Sequence, residues 1–254
     1  MMMKIVSGMG LASLLLLGSC AAPRGYDVYL LIGQSNMAGR GRMIASDHAP
    51  MKGVYLLDDS ARAVAATAPF NQYSSIRKEL WMQQVSPANS FANILHARTG
   101  KRILLVVNAR GGSSIREWSP SRKDNYSDKA IARTRQALKY GKLKGILWHQ
   151  GESDAKNPSG YMDSLQTMVH HLRTELHEPR VPFVAGEIAQ WHYNKEIFNR
   201  NLHQIGRLIP HSDWVSSEGC SCLKDETDPH FSRDGQMLLG ERYAEKILKM
   251  VYNK

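Results

Sequence analysis

Apolar residues in this chain gather in short unbroken runs, separated by longer stretches in which they recur every three or four positions. The runs are Tyr26 to Gly33, Arg102 to Asn108, Gly145 to Gln150, Val181 to Ala189 and, more weakly, Trp214 to Ser217. Near-continuous apolar runs of this length belong to strands covered on both faces, which points to a parallel sheet. Helical spacing occupies residues 87–99, 127–140, 159–177, 194–208 and 235–251. It is plainest in the third, at Tyr161, Met162, Leu165, Met168, Val169, Leu172 and Leu176. Gly100 and Gly141 follow two of these segments in the place of C-cap residues. Strand and helix in alternation predict an α/β fold, a three-layer α/β/α sandwich on a mainly parallel five-stranded sheet. Residues 41–86 show no clear period and read as a long loop or small strands.

The first twenty residues read as an address. Lys4 precedes a mostly apolar stretch from Ile5 to Leu17 that is too short and glycine-broken to span a bilayer, as in an export signal. The ending Leu17-Gly18-Ser19-Cys20 resembles the lipobox of bacterial lipoproteins, in which the Cys becomes lipidated. Ordinary cleavage near Ala21-Ala22, with loss of Cys20, is the alternative. The expectation is an exported, lipid-anchored envelope protein: a leader over 1–20, one domain over 21–254, and a membrane partner through the acyl chains on Cys20.

Composition narrows the classes. With 254 residues, 43% hydrophobic and 22% charged, the chain can bury a real core and is not globally disordered. Three Cys exclude a disulfide-dense scaffold. Cys220 and Cys222 form a strained bridge or stay separate, and no zinc spacing surrounds them. The formal charge of +10 is densest between Arg122 and Lys144. Without aromatic platforms or a known module, this reads as a solvated face and not as nucleic-acid binding. Nothing in the sequence calls for an obligate protein partner.

In parallel sheets the ligand site lies at the carboxyl ends of the strands. There the chain carries Gly33-Gln34-Ser35-Asn36, Asn108-Ala109-Arg110-Gly111-Gly112 and His149-Gln150-Gly151-Glu152. A Ser just past a strand either caps the next helix or, given a base, acts as a nucleophile. The Gly-x-Ser-x-Gly elbow is absent, because position 37 is Met.

Gly33-Gln34-Ser35-Asn36-Met37-Ala38-Gly39 resembles the first motif of the SGNH hydrolases, in the branch of sialate O-acetylesterases and family-6 acetyl xylan esterases. Trp148-His149-Gln150-Gly151-Glu152-Ser153-Asp154 resembles that branch's His-Gln-Gly-Glu motif. Asn108 to Ile115 with Trp118 resembles its Gly-Gly block. Asp228-Pro229-His230-Phe231-Ser232, with Gly235-Gln236 and Gly240 to Ala244, resembles its closing block. The blocks stand in the family's order. The resemblance implies an SGNH-type, flavodoxin-like fold and a serine esterase that removes O-acetyl groups from carbohydrate, with no metal or organic cofactor. Ser35 is then the nucleophile and His230 the base. The family usually has an acid three residues before the His, but Thr227 stands there. Asp228 is the first choice to orient His230, and Glu152 is either a second acid or a structural residue whose hydrogen bonds hold its loop. The implied oxyanion hole is the Ser35 N–H, the Gly112 N–H and the Gln150 amide, with Gly111 competing; such donors are typically worth about 3–4 kcal/mol each.

Trp118 and Trp191 offer flat faces for sugar stacking or for core packing. Arg40, Arg110 and Arg116 flank the motifs, and Arg116 is taken as substrate-facing, where it would pair with a sugar carboxylate. His149 reads as a core residue beside the site, and His170 and His171 as a solvated helix face. Two rivals remain: a lipase or thioesterase of the same superfamily, and a glycan-binding lipoprotein without catalysis.

Overall fold

The computed structural model describes residues 25–254, so the leader and the lipidation site read at Cys20 lie outside the described residues. Strand β1 (Tyr26–Gly33) is buried from Asp27 onward. A short helix, α1 (Ser35–Ala38), follows it at once. Strands β2 (Val54–Leu57) and β3 (Ala63–Ala65) come next, then α2 (Ala88–Thr99) and β4 (Ile103–Ala109). Helix α3 (Tyr126–Ala137), β5 (Gly141–His149), α4 (Tyr161–Glu175) and β6 (Phe183–Gly186) continue the alternation. Helices α5 (Lys195–Leu202) and α6 (Ile205–Leu208), β7 (Ser212–Val215) and the long α7 (Arg233–Tyr252) complete the chain.

The sheet has seven strands in the order β3-β2-β4-β1-β5-β6-β7. All neighbours run parallel except β2 and β3. The α/β architecture is the expected one, with two more strands than the five read from the sequence. Both additions lie in the 41–86 stretch. Tyr26 and Leu30 of β1 stand opposite Gly141 and Ile146 of β5, and Leu30 also stands opposite Val106 of β4.

Period-2 geometry sends alternate β1 residues to opposite faces. Val28, Leu30 and Ile32 meet Ile131, Leu165, Met168 and Leu172 of α3 and α4. Tyr29 and Leu31 meet Phe91, Leu95, Tyr243 and Ile247 of α2 and α7. Each fully buried side chain of this size contributes roughly 1.5–3 kcal/mol. Covering both faces explains why β1 and β4 read as unbroken apolar runs and not as alternating ones. Helix α3 begins at Asn125, whose side chain accepts the Asp128 N–H, and α7 at Ser232, whose hydroxyl accepts the Gly235 N–H.

The chain leaves β1 for β2, β3 and β4 on one side and later reaches β5 on the other, so the loops after β1, β4 and β5 share one crevice. Gly33 closes the turn there. Its φ is +138°, its carbonyl accepts the Arg110 N–H at 2.9 Å, and the Gln34 N–H donates to the His149 carbonyl at 2.8 Å. A Cβ at this position would sit 2.1 Å from the His149 carbonyl oxygen, so only glycine lets the strand ends touch. Gly33→Ala is therefore expected to lower stability by about 2 kcal/mol or more. Urea unfolding checks this, and a midpoint equal to that of the parent protein would contradict it.

Candidate active site

Ser35 is the first residue of α1, and its side chain lies at the floor of the crevice with the residue 5% exposed. His230 arrives from the loop before α7. Its Nε2 is 2.9 Å from Ser35 Oγ, a contact across 195 positions of sequence. Its Nδ1 is 2.6 Å from Asp228 Oδ1, and the same oxygen accepts the His230 backbone N–H at 3.0 Å. A carboxylate can only accept, so it fixes the proton on Nδ1 and leaves Nε2 as the acceptor for the serine hydroxyl. Burial holds the His230 pKa below its ordinary value; the Asp228 charge opposes this and the Arg40 charge adds to it. Trp191 braces the loop by donating its indole N–H to the Asp228 carbonyl at 2.7 Å and packing edge-on against Phe231. Ser35, Asp228 and His230 are thus brought together.

Glu152 is not part of that group. Its Oε1 accepts the Asn36 amide at 2.5 Å, and it makes no hydrogen bond to His230. The carboxyl is fully buried; burial pushes its pKa up to about 7 against the hydrogen bonds it receives. The expectation of Glu152 as an acid on His230 is corrected: Asp228, two residues away on the same loop, holds the imidazole, and Glu152 takes its alternative role as a structural hydrogen-bonding residue. His149 is the core residue expected, with its ring against Phe231 and Nδ1 3.1 Å from the Tyr243 hydroxyl, and burial lowers its pKa to about 3.

The oxyanion donors also differ from the expectation. Gln150 is fully buried, and its Nε2 is held by Asp154 Oδ2 at 2.6 Å, the Ser113 carbonyl at 3.0 Å and Gln34 Oε1 at 3.2 Å. An amide nitrogen has two protons, so none is left for a substrate. The amide beside the nucleophile is that of Gln34, whose Nε2 lies 3.5 Å from Ser35 Oγ while its Oε1 receives Gln150 and the Ser153 N–H. The N–H groups of Ser35, Gly111 and Gly112 have no acceptor among the described residues. Gly111 faces the nucleophile: a Cβ built on it would lie 3.6 Å from Ser35 Cβ. Gly112 is exposed on the same turn.

Trp118 does not face a substrate. It is fully buried, donates to Ser113 Oγ at 3.0 Å and packs edge-to-face on Trp148 with ring centres 5.1 Å apart. The indole belongs to the same core cluster as Ile32, Trp148 and Leu165. Arg116 is exposed on the turn that carries Trp118 and ion-pairs with no described residue. Nothing ties it to Ser35. The cation at the nucleophile is Arg40, whose Nη2 would lie 2.6 Å from a Cβ on Gly111 and whose Nη1 donates to the Gly39 and Met82 carbonyls. Arg110 is instead committed to the Ile76 and Arg77 carbonyls. Lys78 Nζ stands 3.5 Å from the position a Cβ would take on Gly112.

Gln34, Asn36 and Gln236 all sit inside the motif blocks, yet the sequence reading gave them no task. Their signal was an amide next to the nucleophile or next to the histidine loop. Among the described residues no group of three His, Cys, Asp or Glu side chains is placed to hold a metal ion. His171 pairs with Asp128 at 2.7 Å. The arrangement can take a proton from a hydroxyl, return it to a leaving group and face a developing oxyanion with free N–H groups.

Comparison with known proteins agrees with this chemistry. The family model described as "Carbohydrate esterase, sialic acid-specific acetylesterase" matches residues 25–249. A protein of Arabidopsis thaliana described as a probable carbohydrate esterase is 27% identical over 243 residues, covering 87% of this chain and 90% of the relative. A solved Arabidopsis thaliana structure superposes with a TM-score of 0.78 at 25% identity, over 89% of this chain and 99% of that one. A carbohydrate acetylesterase from Xanthomonas citri has the same fold, with a TM-score of 0.65 at 20% identity, over 90% of this chain and 57% of that one. With the family model spanning nearly the whole described chain, the protein belongs to the carbohydrate esterases of the sialic acid-specific acetylesterase family and is an SGNH-type carboxylic ester hydrolase acting on carbohydrate.

Proposed function

We propose that the protein removes O-acetyl groups from a carboxylate-bearing sugar through an acetyl-Ser35 intermediate. The observation that carries the reaction is the 2.9 Å contact between His230 Nε2 and Ser35 Oγ, backed by Asp228 on Nδ1. His230 takes the hydroxyl proton as Oγ attacks the acetyl carbonyl carbon. The carbonyl oxygen becomes an oxyanion facing the N–H groups of Ser35 and of the Gly111-Gly112 turn. Collapse breaks the carbon–oxygen bond to the sugar, and His230 returns the proton to that sugar oxygen. A water, deprotonated by His230, then releases acetate and restores the serine.

The substrate class rests on Arg40. It is half-buried, it lies beside Gly111 near the nucleophile, and its Nη2 has no hydrogen-bond partner among the described residues. Lys78 adds a second positive charge beside Gly112. A half-buried guanidinium with a free edge suits a carboxylate, which acetylated sialic acids carry and acetylated xylose residues lack. Trp191, half-exposed beside Asp228, gives the sugar an apolar wall. Export and a lipid anchor at Cys20 would place the reaction in a bacterial envelope, where acetylated glycans occur outside the cytoplasm.

Ser35→Ala is expected to lower kcat by at least about 10⁴-fold with an unchanged unfolding midpoint. Acetate release and covalent labelling by a fluorophosphonate measure this, and undiminished turnover would end the proposal. The base must be neutral to accept a proton, and burial holds the His230 pKa below 6.5. The acid limb of kcat/KM is therefore expected to have its midpoint below pH 6.5; a midpoint above that value in a pH–rate profile would contradict the assignment. Arg40→Gln is expected to reduce the ratio of kcat/KM for acetylated sialic acid over acetylated xylose by about 10-fold or more, the worth of one charge-assisted hydrogen bond. An unaltered ratio would remove the acidic sugar from the proposal.

A further inference from the structure

Asn36 follows the nucleophile and is completely buried, and all four of its amide bonding positions are filled. Its Nδ2 donates to the Pro229 carbonyl at 3.1 Å and to Glu152 Oε1 at 2.5 Å. Its Oδ1 accepts the Phe231 N–H at 3.2 Å and the Gln236 amide at 3.2 Å. Pro229 and Phe231 are the residues on either side of His230. One side chain therefore grips the histidine loop by a carbonyl before the imidazole and by an N–H after it.

The orientation of this amide is over-determined. A backbone N–H can only donate, so the atom facing Phe231 is the oxygen; a backbone carbonyl can only accept, so the atom facing Pro229 is the nitrogen. Glu152 supplies the second acceptor for the nitrogen from the loop after β5, and Gln236 the second donor for the oxygen from α7. Flipping the amide would lose every one of these bonds. Three separately folded parts, the turn after β1, the loop after β5 and the start of α7, thus converge on one amide next to Ser35.

We infer that Asn36 is the positioning residue that holds His230 Nε2 in line with Ser35 Oγ, with Glu152 anchoring it from behind. Asn36 touches neither substrate nor the reacting atoms. It sets the distance between two groups that do. This rests on the reading of Ser35 and His230 as the reacting pair. It also gives Glu152 work in catalysis although that residue makes no bond to the imidazole.

A misplacement of about 1 Å between reacting groups lowers rate by about 100-fold. Asn36→Ala is expected to lower kcat by that factor with KM changed less than about threefold. The rate at which a fluorophosphonate labels Ser35 should fall by a similar factor, while the labelling end point stays at one per chain. A residue that merely supports folding would lower the end point and leave the rate of the remaining molecules unaltered, and that result overturns the inference. So does a labelling rate within threefold of the parent's. If Asn36→Ala shows no unfolding transition, Asn36→Asp, of equal size but with at most one proton to donate where the amide has two, is judged by the same criteria. Failure of both variants to fold would also overturn it, since the amide would then hold the fold and not the histidine. Ser35→Ala, measured alongside, separates the two levels. A dead Ser35→Ala with a normal Asn36→Ala removes only this inference, whereas an active Ser35→Ala removes the reading beneath it.

Discussion

The hydrogen bond between Ser35 Oγ and His230 Nε2 joins the first strand of the sheet to the loop before the last helix. Closing so long a stretch of chain costs loop entropy, though the cost grows only slowly with length. The contact itself contributes too little to meet that cost. What meets it is the packing of α2 on α7 and of α7 on the sheet, through Phe91, Leu95, Tyr243 and Ile247. Arg233 adds a paired contact to Asp47 at the start of α7. The histidine is delivered to the serine because the helix behind it is part of the core.

The parts of the fold legible in the sequence were those governed by burial on both faces. Strands β1 and β4 and helices α2, α4 and α7 came close to their observed ranges, whereas β5 starts four residues earlier than read, at Gly141, which is its first residue and not the cap of α3. Strands β2 and β3 were not legible, being four and three residues long, and β3 has no fully buried residue. The stretch expected as one helix over 194–208 breaks into α5 and α6 around His203 and Gln204. Apolar spacing continues across that break, so periodicity alone did not show it.

At the site, its place at a strand end singled out Ser35, and the resemblance of the motif blocks pointed to His230 and to Asp228 beside it. What the sequence could not supply was competition between partners. Gln150 has the right chemistry for an oxyanion donor, but Asp154, four residues on, takes its nitrogen. Glu152 is an acid near the base, but Asn36 takes its oxygen. Trp118 is an aromatic in a motif block, but it is buried in the core and Trp148 packs against it. In each case the side chain kept its chemistry and a neighbour used it first. Arg40 is the reverse case, one of three arginines flanking the motifs and the one whose Nη2 the fold leaves without a partner beside the nucleophile.

Asp228 binds both the imidazole and the backbone N–H of His230, so acid, proline and base form one three-residue hook. Carboxylate and imidazole therefore travel together whenever the segment breathes. Thermal excursions can lengthen the gap to the serine without scrambling the tautomer. A molecule caught in such an excursion is idle and not misassembled, and it regains competence by a rigid shift alone, with no proton to relocate.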